Sequence, residues 1–134
     1  MKRICILLGH YGSGKTNVAA NIALEWNRTG HPVSVVDLDI VNPYFRTADW
    51  SGEFSEAGID LIKPVFANTN LDIPALPPQI YGLLRRRDRM VVMDVGGDDA
   101  GAVALGQFAK LILEENDYEA YYVVNFMRPL TRTP

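Results

Sequence analysis

A chain of 134 residues is read as one domain, 1–134, with no room for two. Apolar residues at 48% and charged residues at 22% exclude a disordered chain. A formal charge of −3, from 13 Lys plus Arg against 16 Asp plus Glu, gives nucleic acid no bulk attraction. The single cysteine, Cys5, excludes an intramolecular disulfide and a multi-cysteine zinc site, and points to a reducing, cytoplasmic compartment. No apolar run nears the roughly 18 residues of a membrane span, so a membrane partner is not expected.

Residues 4–8 form an apolar run that ends at Gly9 and suits a strand buried on both faces. The run follows Lys2-Arg3, as a signal segment's would, but it is too short and has no small-residue cleavage site. After a glycine-rich loop the period changes. Val18, Ala19, Ile22, Ala23 and Trp26 recur at helical spacing, and Gly30 with Pro32 stops the helix. A second strand is read at 33–37, completing a βαβ unit with parallel strands and a right-handed crossover.

Further on, 44–50 is read as a short helix and 59–65 as a strand that Pro64 pushes towards an edge or a strand end. Residues 67–79, with Pro74, Pro77 and Pro78, read as a long irregular loop. Residues 80–87 read as a helix and 90–94 as a buried strand. A single helix is expected over 99–115, with Val103, Ala104, Phe108, Leu111 and Ile112 inward and Asp98 or Asp99 as N-cap. A last strand of central type is read at 121–124. The alternation predicts an α/β fold, a doubly wound, mostly parallel sheet with flanking helices and its ligand at the carboxyl ends of the strands. A central-type strand just before the end leaves a sheet face uncovered, so the sheet is expected to be incomplete at the C-terminus.

The segment Gly9-His10-Tyr11-Gly12-Ser13-Gly14-Lys15-Thr16 fits G-x-x-x-x-G-K-[ST], placed after a buried strand and opening a helix as that motif requires. Gly12 and Gly14 let successive N–H groups curl around phosphate oxygens, and the helix dipole adds positive potential. Lys15 supplies a cation for β and γ oxygens, and the Thr16 hydroxyl can ligate Mg²⁺. The expected phosphate-binding set is Gly9, Tyr11, Gly12, Ser13, Gly14, Lys15, Thr16 and Asn17.

Two strand ends deliver carboxylates. Asp94 closes the apolar run 90–94 before Gly96-Gly97, where a Walker B aspartate stands beside the metal. Asp37 closes the run 33–37, and Asp39, two residues on, shares its strand face if the strand persists through both. One could approach the metal, the other the γ-phosphate or its attacking water.

Together the loop, Val36-Asp37-Leu38-Asp39-Ile40-Val41-Asn42-Pro43-Tyr44-Phe45 and Asp94-Val95-Gly96-Gly97 resemble the cobyrinate-synthase/MinD/ParA nucleotide-binding family of the SIMIBI class, over residues 3–126. The resemblance implies a seven- or eight-stranded sheet, bound Mg²⁺-ATP and often a nucleotide-linked homodimer. By position it implies Lys15 on phosphate, Thr16, Asp37 and Asp94 on Mg²⁺, and Asp39 positioning the hydrolytic water. His10 stands where MinD and ParA members carry a lysine that reaches across the dimer. ATP hydrolysis is the expected chemistry, with GTP as an open alternative. ATP-driven activation of a small-molecule carboxylate, a nucleotide-gated module acting on a protein partner, and a nucleotide-binding subunit with negligible turnover also stay open.

The remaining residues carry blander expectations. Cys5 reads as a small core side chain, and His10 as lining the loop. Arg85-Arg86-Arg87 reads as a solvated helix end. Tyr44, Phe45 and Arg46 fit a switch region or ordinary loop packing equally well. Ile73 and Leu76 fit a partner surface or a flap on the core.

Overall fold

A computed structural model describes residues 2–9, 14–38, 51–62, 78–96 and 99–124. The order of elements is β1 (Ile4–Gly9), α1 (Lys15–Arg28), β2 (Val33–Leu38), α2 (Ser51–Ala57), β3 (Asp60–Ile62), α3 (Gln79–Arg85), β4 (Met90–Gly96), α4 (Asp99–Gly106), α5 (Ala109–Glu115) and β5 (Tyr118–Tyr122). The strands form one five-stranded sheet in the order β3-β2-β4-β1-β5, and every pairing is parallel.

The near-continuous apolar strands follow from that topology, because crossover helices cover both faces. Side chains alternate between two cores. On one face Cys5, Leu7, Val33, Val35 and Val92 pack with Ala19, Ala23 and Trp26 of α1 and Phe54 of α2. On the other, Ile4, Ile6, Val36, Met93 and Val95 pack with Ile80 and Leu84 of α3, Phe108, and Ile112 of α5. Helices on both faces of a parallel sheet make the fold doubly wound, as expected from the sequence.

The inward face of α1 is rotated from the expected one. Lys15, Ala19, Ala20, Ala23 and Trp26 are buried, whereas Val18 is exposed and Ile22 only half-buried. The fully buried alanines let the helix axis approach the sheet closely. The strand at β4 runs two residues past Asp94, to Gly96.

Three expectations need correction. The helix expected over 99–115 is two helices, broken at Gln107 and Phe108. Their N–H groups bond to the Ala104 and Leu105 carbonyls, three residues back, which tightens the chain out of the α-helix. The break swings Phe108 into full burial against Tyr81 of α3, ring centroids 4.8 Å apart, and leaves Val103 outward at 52% exposure. The last strand is Tyr118–Tyr122, earlier than expected, paired to β1 from Ile4↔Tyr118 to Leu8↔Tyr122. Among the described residues β5 is an edge strand with Tyr121 and Tyr122 about half exposed, not a central one. Helix α2 has no counterpart in the sequence reading. The expected helix 44–50, residues 63–65 of the expected strand, 67–77 of the loop with Ile73 and Leu76, and the N-cap Asp98 lie outside the described residues. Among those described, no helix is long and apolar enough to cross a membrane.

Candidate nucleotide site

The carboxyl ends of β1, β4 and β2 converge. Leu7 stands opposite Asp94, and Asp94 opposite Asp37, in register on adjacent parallel strands. By alternation all three lie on the face that carries Cys5, Val92 and Val35, which α1 covers. Both carboxylates are buried, Asp37 at 1% exposure and Asp94 at 0%. Neighbouring strands lie about 4.8 Å apart, so one small ion can reach both.

Helix α1 begins at that same end. Gly14 precedes it with φ +90°, a left-handed conformation that strains any side chain. Its carbonyl accepts the Val18 N–H at 3.1 Å, closing the first turn. The next residue, Lys15, turns inward rather than to solvent and is buried. Its ammonium donates to Asp94 Oδ1 in a buried ion pair. The Thr16 hydroxyl lies 3.5 Å from Asp94 Oδ2, the outer limit of a hydrogen bond. Both oxygens of Asp94 therefore face the last two residues of the glycine-rich motif. A lone buried carboxylate would be costly, and the Lys15 charge offsets that cost.

The donor set suits a hard divalent cation. Two carboxylates and a hydroxyl are the oxygen ligands that Mg²⁺ takes alongside phosphate oxygens and water. Among the described residues no three His, Cys, Asp or Glu side chains gather into a metal cage.

Of the residues singled out from sequence, Lys15, Thr16, Asp37 and Asp94 come together, and Gly9 and Gly14 bracket the loop. Gly9 pairs in register with Gly96. Asn17 is exposed on α1. His10, Tyr11, Gly12, Ser13, Asp39, Tyr44, Phe45 and Arg46 lie outside the described residues. Cys5 is buried, and its thiol is pushed up to about 11, first by burial and then by Glu119, which removes it as a nucleophile. Arg85, Arg86 and Arg87 are exposed, with Arg86 paired to Asp88 and Arg87 to Glu115.

One feature of the site was missed. Gly101 in α4 lies against the carbonyl of Gly96 at the end of β4. A glycine inside a helical pattern was the available signal, since it weakens a helix unless close packing demands it.

The chain is similar to a solved structure of the signal recognition particle 54 kDa protein from Aeropyrum pernix K1 in complex with GDP. The TM-score is 0.58 at 24% identity, and the match covers 92% of this chain and 29% of that one. This chain thus spans less than a third of that protein's length. No family model matches the sequence, and no curated protein matches it. The all-parallel sheet order, the G-x-x-x-x-G-K-[ST] sequence between β1 and α1 and this likeness fit a doubly wound α/β fold of the P-loop NTPase kind.

Proposed function

We propose that the chain is a P-loop nucleoside triphosphatase of the cobyrinate-synthase/MinD/ParA type, binding Mg²⁺-ATP and hydrolysing it. One observation carries the reading. Lys15 and Thr16, adjacent in the motif, converge on the buried Asp94, whose register partner is a second buried carboxylate, Asp37.

In this reading the loop N–H groups of Gly12, Ser13 and Gly14 cradle the phosphates, with Gly9, Tyr11 and Asn17 flanking them. Lys15 binds the β and γ oxygens and neutralises charge that develops on them during transfer. Thr16, Asp37 and Asp94 would hold Mg²⁺, which when bound draws charge off the γ-phosphate and leaving oxygens. Asp39 orients the attacking water. Catalysis comes from positioning and electrostatics, since the protein has little covalent work to do.

The domain 1–134, a cytoplasmic location and a nucleotide-linked homodimer belong to the same proposal. The GDP in the similar structure supports a guanine nucleotide as the alternative ligand. Calorimetric titration with Mg²⁺-ATP and Mg²⁺-GTP, on wild type and Lys15→Ala, tests the reading. Tight binding by wild type and a loss of at least tenfold in the variant are expected. Equal affinity in both proteins would overturn it.

A further inference from the structure

We propose that Gly101 is a positioning residue for this site. Its missing side chain seats α4 directly on the Gly96 carbonyl, and so sets where β4 presents Asp94 and where β1 opens into the phosphate loop. The assignment rests on the nucleotide reading above.

Gly101 is buried in the first turn of α4. A Cβ there would overlap the Gly96 carbonyl oxygen and lie 2.7 Å from its carbon and 3.1 Å from its Cα. These are backbone atoms at the end of a buried strand and cannot swing aside as a side-chain tip could. Two other helical glycines, Gly82 of α3 and Gly106 of α4, meet nothing within 4 Å at that position. Glycine weakens a helix relative to alanine, and no left-handed angle requires it at 101. Close approach is what remains to account for it.

Position gives the contact its consequence. Gly96 lies two residues beyond Asp94 on one strand, and its register partner across β1 is Gly9, the first residue of the phosphate motif. A side chain at 101 must lift α4 or push Gly96. A displaced Gly96 carries either the Gly9 pairing or the Asp94 carboxylate with it. Metal ligation tolerates such displacement poorly, because Mg²⁺ demands near-ideal octahedral geometry at short ligand distances.

The test titrates ATP and GTP, with and without Mg²⁺, into wild type, Gly101→Ala, Gly82→Ala and Gly106→Ala, with thermal melts of each. Gly82→Ala and Gly106→Ala should bind like wild type. Gly101→Ala should lose at least tenfold in affinity for the Mg²⁺-nucleotide, with a smaller gain from Mg²⁺, a readout that general loosening of the fold would not move selectively. Affinity and Mg²⁺ gain within twofold of wild type would overturn the assignment alone. No binding by wild type would overturn the nucleotide reading and this assignment with it. Hydrogen exchange on wild type needs no variant. Added Mg²⁺-nucleotide should protect residues 99–106 together with the end of β4, and unchanged exchange in α4 would overturn the coupling.

Discussion

Lys15 and Asp94, 79 positions apart in the chain, form a buried ion pair at the end of β4. In the proposed reading the same two groups serve different partners once nucleotide arrives, Lys15 the phosphates and Asp94 the metal. The exchange keeps every buried charge compensated, since Lys15 leaves the carboxylate only as a cation replaces it. Metal and nucleotide binding should therefore be strongly coupled.

The ion pair makes a stability prediction of its own. Lys15→Met removes one partner of a buried pair and should cost about 3 kcal/mol, near the lower end of such losses. Lys15→Met combined with Asp94→Leu should cost less than the two single changes added together. Denaturant melts of the four proteins close the cycle. Strict additivity would mean that the two side chains do not support each other in solution.

Asp37 and Asp94 stand side by side in register, so in the proposed reading both govern the Mg²⁺ dependence rather than recognition of the base. Asp37→Asn and Asp94→Asn should each weaken nucleotide affinity in Mg²⁺; in EDTA Asp37→Asn should change it little, whereas Asp94→Asn, which releases Lys15 to the phosphates, should raise it. Asp39→Ala should leave affinity near wild type and remove most phosphate release, because the proposed reading rests binding on the loop and water positioning on this carboxylate. Isotherms and phosphate release on the three variants separate these roles. Wild-type turnover in Asp39→Ala would end its assignment.

Strands that are buried on both faces announce themselves, and β1, β2 and β4 were legible because Ile4, Val35 and Val92 leave no polar face. The motif residues Lys15 and Thr16 and the strand-end Asp94 were legible for the same reason, since the chemistry sits where an apolar run stops. Helix α2 was not, because Ser51–Ala57 buries Phe54 almost alone and so has no apolar stripe to read. Helical spacing ran on through Gln107 because the local turn there keeps Ala104, Phe108 and Ile112 on one core. Nothing local reports that Phe108 prefers Tyr81 to a straight helix. Strand β5 was misplaced because Tyr118 and Ala120 look ordinary, and only pairing with β1 selects them.

Burial holds the Cys5 thiol protonated, with its pKa raised from 9.0 to about 11. The unfolded chain ionises first as pH rises, so it binds fewer protons than the folded one between those values. Stability from this group is present in full below pH 9 and is lost as pH climbs towards 11. Cys5→Ala should flatten that part of the stability profile. Native protein at pH 8 should react with a thiol reagent only at its opening rate, and fast reaction would contradict the burial.

Phe108 is fully buried between α4 and α5, and Val103 is exposed only a turn away. Phe108→Ala should cost about 3–5 kcal/mol through lost transfer energy and an unfilled cavity. Val103→Ala should stay within about 0.5 kcal/mol. The single-helix alternative reverses part of this order, since it turns Val103 inward. Urea melts of the two variants decide between them.

At the other end of the strands, Arg3 ties three elements together. Its Nη1 donates to the Arg86 carbonyl and its Nη2 to the Leu84 carbonyl, both at 2.6 Å, and Nη2 also lies 3.6 Å from Glu115. These carbonyls belong to the end of α3, where a helix has acceptors without helical donors. A planar guanidinium meets them and the carboxylate at once, which a lysine ammonium cannot do with one nitrogen. Arg3→Ala should therefore destabilise by about 3 kcal/mol, since it leaves the buried Leu84 carbonyl and the part-buried Arg86 carbonyl without their donor and Glu115 with Arg87 alone. Arg3→Lys should recover less than half of that. Nucleotide affinity of the folded protein should be unchanged in both, because Arg3 stands at the start of β1 and the candidate site at its end. Melts paired with isotherms measure the two effects separately. A lysine variant as stable as wild type would show that charge alone suffices and that the fork does not hold α3 to β1.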